Sequence, residues 1–178
     1  MKKSMIPIAV VLVIAVGAAA YFLGSHKAAN NSATSTQTTK QTAAPVKEVD
    51  LSAAMVKVKA KFPTATLTEV FTEQNDPNNM LGKPGQYVAG AAFIDSRTNT
   101  TSDQTWGAGG GGGIEVFASE SDAAKRASYF SQLQQSGGGP MTDPGAFKQV
   151  GKYVVRASSQ LAKSQQDEII AYLQTLVQ

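Results

Sequence analysis

The 178-residue chain has no cysteine and one histidine. Without cysteine there is no disulfide, no thiol nucleophile, no cysteine-based metal site and no lipid-modified cysteine at a mature terminus. The histidine, His26, lies in a polar stretch, so histidine general-base catalysis is taken away from the part of the chain able to fold. Familiar motifs are missing as well. Gly107-x-Gly109-x-x-Gly112 has dinucleotide-loop spacing but precedes a strand pattern, so it offers no helix terminus to a pyrophosphate. Neither Gly82-Lys83 nor Gly151-Lys152 is followed by Ser or Thr, which excludes a P-loop, and no S-x-x-K occurs. No cofactor is expected, and no metal site built on cysteine or histidine.

What the chain does have is an uncharged apolar run over residues 5–23. At a helical rise of about 1.5 Å per residue it spans roughly 28 Å, close to the hydrocarbon thickness of a bilayer. Lys2 and Lys3 precede it, and Ala18-Ala19-Ala20 resembles a cleavage site, so secretion after cleavage near Ala20 is the alternative. The run continues through Tyr21, Phe22 and Leu23, which suits a helix end at the headgroups and favours an uncleaved signal anchor over residues 1–24. Lysines on the N-terminal flank orient the rest of the chain outside the cytoplasm, with the bilayer as its first partner.

Residues 25–45 are rich in Ser, Thr, Ala, Gln and Asn and read as a disordered tether with a reach of about 25 Å. Charge divides unevenly along the chain. A pI near 9.1 suggests an anionic partner, yet Lys2, Lys3, Lys27 and Lys40 all precede residue 46. The remaining 12 basic residues face all 13 acidic ones, so residues 46–178 carry about −1 and give no footprint for nucleic acid.

Residues 46–178 suit one extracytoplasmic domain. Asp50 caps a helix with Leu51, Met55, Val58 and Phe62 on one face, ended by Pro63. Residues 56–62 also alternate as a strand would, but that pattern leaves Leu51 and Met55 unused. Strands are expected over 66–72, 86–97 and 114–118, with Gly90 marking a bulge or a close backbone contact. Residues 75–86 are turn material, and 98–113, ending in five glycines, read as a flexible loop. Ser119 and Asp122 form a capping box for a helix to about Gln135, with Ala123, Ala127, Phe130 and Leu133 or Gln134 as its apolar face. Residues 147–149 and 153–157 flank Val150-Gly151-Lys152 as a hairpin. Ser164 caps a last helix striped by Ile169, Ile170, Leu173, Leu176 and Val177. The expected fold is α+β, an antiparallel sheet of about five strands with three helices in the order α-β-β-β-α-β-β-α, preceded by one transmembrane helix.

Four blocks then carry a resemblance: NDPNNMLGKPGQY from Asn75, FIDSR from Phe93, GGIEVF from Gly112 with DAAKRASY from Asp122, and GKYVVRAS from Gly151. In order and spacing they resemble a family of uncharacterised membrane-anchored or secreted extracytoplasmic proteins of Gram-positive bacteria. The likeness runs over roughly residues 50–175. It departs at the glycine-rich insert before Ile114 and at Leu161-Ala162-Lys163-Ser164. That resemblance implies location and fold, and no activity. A second likeness, limited to the opening helix, Phe62-Pro63 and the next strand, is to PepSY modules and implies an inhibitor of an envelope peptidase.

Asp76, Asn78 and Asn79, with Asp95 and Arg97, are expected at one edge of the sheet as a recognition surface or a loose oxygen site for a cation. Against that stands simple turn chemistry: Asx-turns at Asp76 and the asparagines, and an Asp95–Arg97 pair. Arg156 reads as an edge charge or as the partner of Glu115. Trp106, in the flexible loop, is a candidate for stacking on a sugar or a partner. Glu73, Asp76, Asp95 and Glu115 are the carboxylates a glycan hydrolase would draw on. The expected function is a non-catalytic binding domain for an envelope protein or cell-wall component, with a carboxylate-dependent envelope hydrolase and a PepSY-like inhibitor as alternatives.

Overall fold

The computed structural model describes residues 48–101, 107–137 and 143–178. The apolar run, the tether and Trp106 lie outside the described residues. Among the described residues no helix is long and apolar enough to cross a membrane.

The Asp50 carboxylate accepts the Ala53 amide at 3.0 Å and opens α1 (Leu51–Lys61). Phe62, extended because Pro63 follows it, closes the helix. Leu51, Ala54, Met55 and Val58 are buried while Val56 stays exposed, which is helical spacing and disposes of the strand alternative. Next come β1 (Ala65–Val70), β2 (Tyr87–Asp95), β3 (Gly111–Phe117), α2 (Glu120–Gln135), β4 (Ala146–Val150), β5 (Tyr153–Ala157) and α3 (Lys163–Leu176). A 3-10 turn over Ala108–Gly110 leads into β3. The fold is therefore α+β, a five-stranded antiparallel sheet with three helices in the expected order.

The sheet runs β1-β2-β3-β5-β4, so β5 is interior and the chain reaches β4 through α2. One face packs Ala91, Phe93, Ile114, Val116 and Val155 against α1 and α3. The other packs Phe71, Tyr87, Ala92, Phe117 and Val154 against Phe130 and Ala123 of α2, with Met80 and Leu81 alongside. Coverage on both faces explains why residues 90–95 are buried without alternation.

Several expected boundaries move. The expected loop over 98–113 is corrected at its C-terminal end alone: Gly111–Gly113 are the buried start of β3. A Cβ on Gly111 would lie 2.6 Å from the Asp95 nitrogen and the Phe93 oxygen, and one on Gly113 would lie 2.6 Å from the Ala91 oxygen. These glycines are present because only bare backbone fits there, and pairing with β2 and β5 fixes what composition suggests is free. Ser164 does not cap α3. The Gln165 side chain reaches back to accept the Ala162 amide at 3.0 Å, which starts the helix two residues earlier, at Lys163. The hairpin turn is Gly151-Lys152 alone, with Val150 already paired to Tyr153. At Gly90 there is close contact, a Cβ there falling 2.7 Å from the Phe71 ring, while the register shift lies at Tyr87/Ala89. β1 begins at Ala65 and ends at Val70, with Phe71 donating to the Gly90 oxygen at 2.8 Å.

Candidate functional site

Asp76 organises the whole turn segment between β1 and β2. Its Oδ1 accepts the Asn78 amide at 3.1 Å and the Tyr87 hydroxyl, and its Oδ2 accepts the Met80 and Leu81 amides at 2.6 and 2.8 Å. Four donors fill the acceptor positions of a carboxylate, leaving none for a cation. Burial pushes its pKa up, but the Tyr87 hydroxyl and the three amides outweigh that and hold it below the ordinary value. Burial and the same hydrogen bond push the Tyr87 phenol well up, so it stays protonated. Asn78 Nδ2 adds a bond to the Tyr87 hydroxyl at 3.1 Å, and Asn79 turns the chain at φ +51°.

Asp95 lies at the far end of β2 and is fully buried. Arg97 grips it with Nε at 2.8 Å and Nη2 at 2.6 Å, and Thr64 donates to Oδ2 at 2.9 Å. Burial again raises its pKa and these donors lower it further, for a net downward shift. Asp76, Asn78 and Asn79 therefore form one group and Asp95 with Arg97 another. No hydrogen bond or ion pair joins the two among the described residues, so the residues expected together at one edge of the sheet stand as two groups at opposite ends of β2.

The polar cluster that matters most joins the sheet to α2. Glu115 of β3 is gripped by Arg126 through Nε and Nη2 at 2.8 and 2.9 Å, and by Arg156 through Nη1 at 3.3 Å. Arg156 is thus an interior-strand partner of Glu115, with its Nη2 on the Pro144 oxygen at 3.2 Å and its buried Nε without a partner. Burial lowers the Arg156 pKa and neighbouring Arg126 adds to that. Of the two sequence readings of Arg156, edge charge or partner of Glu115, the second holds, and neither includes Arg126. The signal was available: Arg126 falls three residues after Ala123 and four before Phe130, on the apolar stripe of α2.

Outward from Arg126 a cleft of about 540 Å³ opens between α2 and the turn before β2, lined by Met80, Gly85, Gln86, Lys125, Arg126 and Tyr129. Arg126 lies 5.8 Å from the Tyr129 ring centroid and 4.3 Å from that of Phe130. Tyr129 is 49% exposed, and Lys125 pairs with Asp122 at 2.8 Å. No group of metal-ligating side chains occurs among the described residues. Comparison with protein-family models, curated proteins and solved structures finds no match.

Proposed function

We propose that the chain is a membrane-tethered extracytoplasmic binding domain, held outside the cytoplasm by residues 5–23 and acting through contact with an envelope protein or cell-wall component. One observation carries the non-catalytic part. Of the four carboxylates a hydrolase would draw on, three are engaged: Asp76 is filled by four donors, Asp95 by Arg97 and Thr64, and Glu115 by two arginines, while Glu73 stands exposed. Those three are tied to the fold, which leaves Glu73 without a second free carboxylate for the pair that glycoside hydrolysis takes. The apolar run and the block resemblance support the location.

Crosslinking in intact cells tests the binding part: a discrete crosslinked partner is expected, captured by the full chain and lost when residues 46–178 are removed. The hydrolase alternative is tested by incubating the chain with muropeptides and glycan strands. Cleavage that disappears in Asp76→Asn, Asp95→Asn or Glu115→Gln would overturn the non-catalytic reading, and slowed turnover by a co-expressed envelope peptidase would redirect it to a PepSY-like inhibitor.

A further inference from the structure

The cleft beside α2 is built to receive an anion, and the reason lies beneath it. Glu115 is one carboxylate serving two guanidiniums, so the cluster holds one uncompensated positive charge. Counting the surface neighbours leaves the surplus unchanged, since Lys125 is matched by Asp122. Arg126 is fixed from behind: Nε and Nη2 bond Glu115, and the guanidinium stands against the Phe130 ring. Among the described residues its Nη1 has no hydrogen-bond partner, and the side chain keeps 11% of its surface exposed. A guanidinium already locked in place loses little freedom when an anion docks on its outer edge.

The rest of the lining narrows the class of anion. Met80 and the exposed Tyr129 ring give the cleft an apolar side, which suits an anion carried next to an apolar group. Most of the turn's own amides are spent: Met80 and Leu81 on Asp76, Gly82 on the Tyr87 oxygen, Lys83 on the Met80 oxygen and Gln86 on the Lys83 oxygen, which leaves Gly85 as a lone amide at the cleft. No nest of backbone amides is left to seat a chain-terminal carboxylate. What remains are side-chain donors: Arg126 Nη1, the Lys125 Nζ donors that Asp122 does not use, and the Gln86 side-chain amide to hydrogen-bond a passing backbone.

We propose that this cleft seats an acidic side chain of an extended peptide segment, its carboxylate on Arg126 Nη1 and Lys125 Nζ and its neighbouring apolar side chain against Met80 and Tyr129. The proposal rests on the binding-domain reading above and names the chemistry of its partner.

The test uses the full chain in detergent micelles with 13C-methyl methionine, the Met80 resonance being assigned through Met80→Leu. Acetyl-Leu-Glu-Phe-amide is the probe. Its glutamine analogue and acetyl-Leu-Phe with a free terminal carboxylate are the comparisons. The glutamate peptide is expected to shift the Met80 methyl and to bind at least about tenfold more tightly than the glutamine peptide, the advantage shrinking with added salt. Lys125→Glu and Tyr129→Ala, both exposed positions that leave the Glu115 pairs in place, should each weaken it about tenfold. Equal affinity for the glutamate and glutamine peptides, a Met80 resonance that does not move, or preference for the free terminus would overturn the proposal. Those results alongside a persistent crosslinked partner in cells overturn the cleft and leave the binding-domain reading standing. Turnover of envelope glycans or muropeptides overturns that reading whatever the cleft binds.

Discussion

Arg126 and Arg156 draw on the same two groups: both guanidiniums bond Glu115, and each stands 4.3 Å from the Phe130 ring centroid. Glu115 is the one anion in that arrangement. Glu115→Gln leaves two buried cations facing each other, and it should cost about 3–5 kcal/mol, near the whole stability of many domains. Arg126→Met keeps one ion pair and fills similar space, so its cost should be no more than about half of that. Urea midpoints of the two variants against the parent check both; Glu115→Gln at or above Arg126→Met would contradict the account.

Asp76 and Tyr87 hold the turn segment against the sheet. Asp76→Asn keeps one acceptor oxygen where two were filled, so buried amides lose their partner, at about 2–3 kcal/mol. Tyr87→Phe removes one donor from an Asp76 that keeps its three amides and should cost about 1 kcal/mol. Thermal unfolding of both variants, together with amide exchange at Met80 and Leu81, measures this; protection unchanged in Asp76→Asn would refute it.

Asp76 and Asp95 give the domain its acid sensitivity. Each is held below its ordinary pKa, donors outweighing burial, so their stabilisation is complete above the unfolded value of about 4. It disappears as pH drops through the lower folded values. The melting temperature should be level above about pH 5 and fall steeply below about pH 4, and the Asp76→Asn, Asp95→Asn double variant should show a shallower fall from a lower start. A parent melting temperature that holds at low pH would be inconsistent with both assignments.

Glycines of one run should differ sharply in tolerance. A Cβ on Gly112 would lie 2.8 Å from the Arg156 oxygen and 2.8 Å from Phe93 Cε1, whereas one on Gly109 meets nothing within 4 Å. Gly112→Ala is expected to lose about 1–3 kcal/mol and Gly109→Ala less than about 0.5 kcal/mol. Denaturant unfolding of the two single variants decides it, and similar losses would mean the run is not packed as described.

Where a segment announces its own ends, the sequence was legible. Asp50 and Ser119 cap the helices expected of them, and the Ile169 and Leu173 stripe lies fully buried. Turn chemistry at Asp76 and the Asp95–Arg97 pair were legible for the same reason, being contacts between near neighbours. Arg126 was not, because a charged residue on a modestly apolar helix reads as solvated until β3 and β5 bring Glu115 and Arg156 beneath it. Gly111–Gly113 were misread because composition carries no information about a neighbour's carbonyl. The cleft is formed by α2 and a turn some forty residues earlier in the chain, so no local pattern encodes it.

Strand order also governs how the sheet assembles. β1, β2 and β3 follow one another as a meander, and β4 with β5 closes locally through Gly151-Lys152. The two halves meet along one seam, Gly112↔Ala157 to Val116↔Tyr153, and the Glu115–Arg156 contact crosses it at a separation of 41 residues. Closing that distance is the slow, entropically costly event, so docking of the hairpin onto β3 should come last in refolding. Until it does, β3 presents an open edge with three bare glycines, and a second chain's hairpin fits that edge as well as its own. Refolding at high concentration should therefore lose yield to exchanged dimers.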